Sequence, residues 1–153
     1  MINDITIQKI QPKHINQLFD MSKKALEEKG IDNIRDDILM AGLKNIQVKK
    51  YSNIDFGMFK LNTLIGFGFV EFSQTVYEQK PIATVSTIYV LPEFRSRENY
   101  LKLINEILLT LTKIGIDTVK TTDDWTLCND CEIFKSSIQS MSRKETVYRM
   151  EIE

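Results

Sequence analysis

The first part of the chain alternates between strand-like and helix-like spacing of its apolar residues. Ile5 and Ile7 lie on one side of a short alternation that ends at Ile10, which predicts a first strand. Residues 13–29 carry apolar residues three and four positions apart, and Gly30 supplies a stop signal. This segment is therefore predicted to be an amphipathic helix.

The middle of the chain predicts a second helix and then a β-hairpin. Residues 33–43 repeat the helical spacing, and residues 44–53 are polar, which predicts an irregular segment. Two strand-like runs follow, over residues 56–61 and 64–73, and they meet around Leu61-Asn62-Thr63. The short separation between the two runs indicates antiparallel neighbours.

A strand that ends near Leu91 and a long helix that follows Ser96 form the central pair of elements. The strand contains β-branched and aromatic side chains, and Pro92 prevents its ladder from continuing. Ser96 has the properties of a helix N-cap. The apolar face of the helix is predicted to hold Leu101, Ile104, Leu108 and Leu111, widened by Tyr100, Leu103 and Ile107.

The remaining elements complete a single α/β (α+β) domain over residues 1–153. Gly115 ends the long helix, and residues 118–121 predict a short strand. A helix to about Ile138 and a last strand over residues 146–152 follow. The predicted order is β-αα-β-β-β-α-β-α-β, which is a mixed sheet with helices on both faces.

Composition narrows the classes of function. A chain of 153 residues with 42% hydrophobic residues is long enough for one core. Its 20 Lys and Arg residues nearly balance 21 Asp and Glu residues, so there is no overall positive field for a nucleic acid or an anionic membrane. An anion site would therefore have to be local. The absence of a long apolar run or a signal-peptide pattern leads us to expect a cytoplasmic protein.

The segment Ile88-Tyr-Val-Leu-Pro-Glu-Phe-Arg-Ser-Arg97, with the helix after it, resembles the cofactor-binding motif of the GNAT superfamily. These are acyl-CoA-dependent N-acetyltransferases, so the resemblance implies acetyl-CoA as cofactor. It implies that main-chain groups of the strand pair with the pantetheine arm and that the loop and helix start hold the pyrophosphate. The cofactor-binding residues implied in this way are Ile88, Tyr89, Val90, Arg95, Ser96, Arg97, Glu98, Asn99, Tyr100 and Asn129.

The same segment departs from the family's pattern at two glycine positions, which hold Glu98 and Tyr100. A carboxylate in the first turn competes with a phosphate for the positive end of the helix, and a tyrosine adds bulk. In an alternative interpretation, Ser96 simply caps a helix on which Glu98 pairs with Lys102. The corresponding functional alternative is a GNAT-fold protein that has lost coenzyme A binding and serves as an interaction or regulatory module.

Acetyl transfer to an amine by direct attack needs a group that accepts the amine proton and an acid for the leaving thiolate. Glu71 is the first candidate, with Tyr148 in the last strand as a second, and Ser86 and Thr87 are further polar candidates. The tyrosine that the family often uses as an acid is missing near Ser136. The resemblance implies an amine acceptor, carried by a small molecule or a protein, and allows a homodimer.

Other reactive residues carry weaker alternatives. Cys128 and Cys131 form a C-x-x-C pair that would suit a small dithiol redox protein, but their acidic neighbours oppose a low thiol pKa. No metal site is predicted, because the only histidine, His14, is far from the cysteines. Asp123 and Asp124 beside Trp125 would suit a cationic amine, but the interpretation we favour is a loop tryptophan that packs on the edge of the core.

Overall fold

A mixed five-stranded sheet organises the described part of this computed structural model, which comprises residues 4–48, 53–74, 81–116 and 118–121. Its strands are neighbours in chain order: β1 Ile5–Lys9, β2 Asn53–Lys60, β3 Thr63–Ser73, β4 Ile82–Val90 and β5 Val119–Thr121. β1 to β4 are antiparallel, and β5 pairs with β4 in parallel. The predicted mixed sheet is confirmed.

Among the described residues, three α-helices cover the sheet: α1 Ile15–Glu28, α2 Asp36–Val48 and α3 Arg97–Lys113. Short 3-10 turns over Pro12–His14 and Pro92–Phe94 lead into α1 and α3. Both turns begin with a proline, whose fixed φ suits a first helical position. None of the helices among the described residues has the length and apolar character needed to cross a membrane.

The sheet separates two apolar clusters, and each cluster has its own helices. α1 and α2 pack on one face through Leu18, Met21, Ala25 and Leu43. α3 packs on the other face through Tyr100, Leu103, Ile104, Ile107 and Leu111. Helices on both faces and the element order as far as β5 therefore agree with the prediction. The predicted helix to Ile138 and the strand 146–152 lie outside the described residues.

α2 differs from its predicted position at both ends. It begins at Asp36 instead of residue 33, and two acidic residues in its first turn favour that start through the helix dipole. It continues to Val48 and β2 begins at Asn53, so the prediction of an irregular segment is wrong for residues 44–48 and 53. Residues 49–52 of that prediction lie outside the described part of the chain. Ile46 extends the apolar stripe one turn beyond Leu43, and polar residues between them are tolerated on the solvent side.

The buried face of α3 is rotated relative to the predicted stripe. The fully buried residues include Tyr100, Leu103 and Ile107, which were expected only to widen it. Leu101 and Leu108 are half-buried at its margin. The large residues on the inner face, and not the most regular repeat, decide which side contacts the sheet.

The β2–β3 hairpin turns through Leu61 and Asn62, since Lys60 and Thr63 are the last paired residues. Leu61 has a φ of 57°, and Asn62 does not share a positive φ. This is the pattern of a type II′ turn, which favours glycine at the first central position. The predicted hairpin is confirmed, and its turn places a leucine in a conformation that suits glycine.

Candidate functional site

A cleft of about 720 Å³ lies between the α1–α2 pair and the sheet. This volume is within the range of small-molecule sites, which spans about 300–1,000 Å³. The helices contribute Ser22, Leu26, Ile38, Leu39, Gly42, Leu43 and Ile46, and the strands contribute Asn53, Phe67, Phe69, Glu71, Phe72, Ser86 and Thr87. The cleft is therefore bounded by two helices on one side and three strands on the other.

α2 keeps the cleft open. Leu43 anchors the helix in the core, whereas Ile38, five residues earlier, is 58% exposed. A methyl group added at Gly42 would meet no atom within 4 Å, so the backbone at that position borders open space. The helix thus presents an apolar stripe to the cleft without filling it.

Three polar residues considered from the sequence for catalysis come together on the sheet side of this cleft. Glu71 is exposed near the end of β3, where it pairs with Asn53 and Thr84 across the sheet. Ser86 and Thr87 lie on the adjacent strand β4 and line the same cleft. The sequence suggested these residues separately, and the hairpin register and the pairing of β3 with β4 explain their proximity.

A β-bulge in β4 sets the direction of these side chains. Phe69 pairs with Thr87 and Val70 pairs with Val85, so Ser86 is an extra residue on its strand. The Ser86 hydroxyl donates a hydrogen bond to the Phe69 carbonyl at 3.3 Å. Bulges of this kind redirect side chains and are frequent beside active sites.

Ser22 is a cleft residue whose chemical role the sequence did not reveal. Within the described residues its hydroxyl has no hydrogen-bond partner, although the residue is only 6% exposed. A buried hydroxyl without a partner is unfavourable unless a ligand or water satisfies it. The only sequence signal was a serine within the apolar stripe of α1.

The strand residues assigned to the cofactor, Ile88, Tyr89 and Val90, have side chains that are almost completely buried. Only their main chain is therefore available to a ligand. On one edge this segment pairs with residues 66–68 of β3. On the other edge, the described part of β5 pairs with residues 83–85 and not with this segment.

Arg95 is held in a buried network that connects α1 to the end of β4. Its Nη1 and Nη2 atoms lie 2.5 Å and 2.7 Å from the two carboxylate oxygens of Glu28. Its Nε donates to the Val90 carbonyl at 2.8 Å, and the Tyr89 hydroxyl donates to Glu28 at 2.9 Å. The guanidinium is thus engaged within the protein, whereas the side chain of Arg97, the second arginine of this segment, is exposed.

The network also shifts the titration of its members. Hydrogen bonds from Arg95 hold the pKa of the Glu28 carboxyl below its usual range. Burial, followed by the hydrogen bond to Glu28, raises the pKa of the Tyr89 hydroxyl. Glu28 is therefore ionised and Tyr89 is protonated at neutral pH.

The start of α3 has the cap that the sequence predicted. The Ser96 hydroxyl accepts a hydrogen bond from the Asn99 amide at 3.1 Å, and the Asn99 side chain donates to the Phe94 carbonyl at 2.7 Å. Arg97 and Glu98 are exposed in the first turn. Tyr100 is completely buried, so its side chain belongs to the core and leaves the loop surface clear.

Asp55 occupies a smaller cavity of about 340 Å³ that shares Asn53 with the main cleft. Its carboxylate accepts a hydrogen bond from the Asn53 amide at 3.2 Å, and only 9% of the residue is exposed. Burial raises the pKa of this carboxyl. The described residues contain no group of three or more metal-ligating side chains.

Several predicted residues lie outside the described part of the chain. They are Asn129 and Tyr148, the cysteine pair Cys128 and Cys131, and the acidic loop of Asp123, Asp124 and Trp125. Their assignments stay predictions.

Comparison with known proteins gives a match in structure but not in sequence. No protein-family model and no curated protein matches the chain. A probable acetyltransferase of known structure aligns with a TM-score of 0.80 and 16% identity over 97% of this chain and 98% of its own. A predicted acetyltransferase from Clostridium acetobutylicum, solved with acetyl-CoA, aligns with a TM-score of 0.74 and 15% identity over 97% and 96%.

A third similar structure is an aminoglycoside acetyltransferase from an uncultured soil metagenomic sample, in complex with sisomicin. It aligns with a TM-score of 0.75 and 17% identity over 99% of this chain and 97% of its own. At these identities the likeness establishes the architecture. The chain has the GNAT acetyltransferase fold.

Proposed function

We propose that this protein is an acyl-CoA-dependent N-acetyltransferase whose amine acceptor binds in the cleft between the α1–α2 pair and the sheet. The observation that carries the proposal is the position of Glu71, Ser86 and Thr87 on that cleft. Ser86 and Thr87 lie on β4, directly before the strand segment expected to hold the cofactor. The fold supports the same function, since similar structures were solved with acetyl-CoA and with an aminoglycoside.

The residues present fit the coenzyme at two points. The main chain of Ile88–Val90 is the part of this strand that a pantetheine arm can reach, because the side chains are buried. The first turn of α3, with exposed Arg97, offers amide groups and a positive dipole to a pyrophosphate. When bound, acetyl-CoA supplies the acetyl group as a thioester.

Glu71 is the group that holds and then deprotonates the acceptor. An amine reaches the cleft mainly as the ammonium ion, and the carboxylate attracts this charge. Glu71 accepts one proton, directly or through a water molecule, and the free amine then has a lone pair for attack. We assign the protonation of the leaving thiolate to Tyr148, the second catalytic candidate from the sequence.

Replacement of Glu71 by glutamine tests this role while keeping the size of the side chain. We expect kcat for acetyl transfer to fall by about a hundredfold, the usual contribution of a general base. The rate is measured as thiol released from acetyl-CoA in the presence of an amine. The matched control is Glu106→Gln, on α3 at the other face of the sheet, and we expect it to leave kcat unchanged.

The separate values of kcat and KM distinguish catalysis from simple charge attraction. Loss of a general base should lower kcat, whereas loss of an electrostatic contact should raise KM alone. Equal activity of Glu71→Gln and wild type would refute the assignment of Glu71. Transfer by neither protein, to any amine, would refute the enzyme itself.

The second candidate is the GNAT-fold module without coenzyme binding, and Glu98 is the observation that favours it. Its carboxylate is exposed in the first turn of α3, where it opposes an anion. Calorimetry with acetyl-CoA distinguishes the two functions. We expect weak binding by wild type and at least a several-fold gain for Glu98→Gln and Glu98→Gly.

Comparing these two variants shows whether charge or bulk is the obstacle. Tyr100 is kept in both, because its completely buried ring is needed for the core. Absence of binding by wild type and by both variants would favour the interaction module over the enzyme.

A further inference from the structure

The cleft is apolar on both of its long walls. α2 contributes Ile38 and Leu39, and the sheet contributes Phe67 and Phe69. The two phenylalanine rings stack with their centroids 4.9 Å apart and an angle of 29° between the planes. Phe69 is only partly buried, so the stack presents an aromatic surface to the open cleft.

Ile38 continues this surface on the helix side. It is 58% exposed although it is large and apolar, and it lies at the cleft. An exposed apolar residue opposite an aromatic surface gains stability when a ligand covers both. The two walls therefore favour an apolar body between them.

Four of the five polar residues of the lining, Asn53, Glu71, Ser86 and Thr87, lie on neighbouring strands of the sheet, and the fifth, Ser22, lies on α1. Glu71 supplies a carboxylate there, and the Ser86 hydroxyl already donates to the Phe69 carbonyl. A ligand that carries several hydroxyl groups would place some of them against Ile38 and Phe69, where they would lose water without gaining a partner. One charged head beside Glu71 and an apolar remainder is the arrangement that matches the lining.

We infer that the acceptor is a primary amine on an apolar body, such as an arylalkylamine or a branched alkylamine, and not a polyhydroxylated amino sugar. This inference rests on the proposed function, because it names the substrate class of the same cleft. The ammonium group contacts Glu71, and the apolar body lies between Ile38 and the Phe67–Phe69 stack.

The test compares 2-phenylethylamine with glucosamine, since each molecule has one primary amine and one six-membered ring. We expect kcat/KM for acetyl transfer to be at least about tenfold higher for 2-phenylethylamine, because its ring is the more favourable group to bury. Ile38→Ser should lower kcat/KM for 2-phenylethylamine by about threefold, because apolar contact is lost. The value of kcat/KM for glucosamine should not change.

The matched control is Ile114→Ser. Ile114 is 54% exposed and follows α3, away from the cleft. Because both isoleucines are exposed, neither replacement is expected to prevent folding. Equal or better transfer to glucosamine would overturn the inference. An Ile38→Ser effect no larger than that of Ile114→Ser would overturn it as well.

Failure of the proposed function is recognised separately, as no thiol release with either amine. In that case, calorimetric titration with each of the two amines tests the inferred amine specificity independently of acetyl transfer. Tighter binding of 2-phenylethylamine, weakened by Ile38→Ser, supports an apolar amine site without transfer. Equal binding of the two amines, or no binding, overturns it.

Discussion

Removal of the Glu28 carboxylate should destabilise the protein more than any change to its surface charges. Glu28 is the shared acceptor for Arg95 and Tyr89, and it joins the last residue of α1 to the segment after β4. In Glu28→Ala, the guanidinium of Arg95 would stay in place, with only 6% of its side chain exposed and without its counter-ion. The hydroxyl of Tyr89 would lose its acceptor as well.

The expected loss is about 3 kcal/mol in the free energy of unfolding, near the lower end for a broken buried ion pair. We choose the lower end because 20% of the Glu28 side chain is exposed, so water can enter and partly solvate Arg95. For a protein of this size the loss corresponds to about 6–12 °C in Tm. Glu28→Gln, which keeps hydrogen-bonding groups but removes the charge, should lose less.

Urea unfolding followed by circular dichroism measures these differences, with Glu27→Ala as the control. Glu27 is the exposed neighbour of Glu28 on α1, and its replacement should change stability by no more than about 0.5 kcal/mol. The double variant Glu28→Ala with Arg95→Met should be more stable than the sum of the single losses predicts. A Glu28→Ala variant as stable as Glu27→Ala would refute the network as a source of stability.

The pH dependence of the same network has a definite sign. Because the pKa of Glu28 is depressed in the folded protein, its contribution is complete above the ordinary glutamate pKa of about 4.3. The contribution is lost as pH falls through the depressed value. The stability difference between wild type and Glu28→Gln should therefore be constant near neutral pH and shrink in acid. A difference that grows in acid would contradict this sign.

Three further replacements test other parts of the fold by urea unfolding. Asp55→Asn should stabilise the protein increasingly as pH rises from 4 to 7. The reason is that the raised pKa of the Asp55 carboxyl makes its ionisation in the folded protein unfavourable, whereas asparagine does not ionise. A gain in stability that falls as pH rises would contradict this. Gly66→Ala should lower the free energy of unfolding by about 1–3 kcal/mol, because the new methyl group would lie 2.9 Å from the Tyr89 carbonyl oxygen. In Gly42→Ala the new methyl group meets no atom within 4 Å, so this control should raise the free energy of unfolding by about 1 kcal/mol. Leu61→Gly should gain about 1 kcal/mol at its φ of 57°, and no gain would argue against the turn assignment.

Local pattern was sufficient to predict most of the fold. The alternation ending at Pro92 and the cap at Ser96 located the central strand and helix, because both signals depend on neighbouring residues. The position of α2 was less predictable. Its continuation to Val48 is held by side-chain hydrogen bonds, from Asn53 to the Ile46 carbonyl and from Gln47 to the Gln11 carbonyl, and these contacts depend on the fold and not on the local pattern.

The candidate site was predictable only in part, and for the same reason. Glu71, Ser86 and Thr87 were recognised by residue type, but their meeting on one cleft depends on sheet register. The partner of Arg95 was not foreseen, because Glu28 is 67 residues away in sequence. Ser22 was not predicted, because its hydroxyl becomes notable only when the structure shows it to be buried without a hydrogen-bond partner among the described residues.

The extra residue at Ser86 changes which alternate residues of β4 face α3. Ala83 and Val85 face the α3 cluster before it, and Ile88 and Val90 face the same cluster after it, so odd positions give way to even ones. Deletion of one residue there would turn Tyr89 away from Glu28 and send it towards α3. In relatives of this protein we therefore expect changes of length to accumulate in connecting segments, while the number of residues in β4 stays fixed.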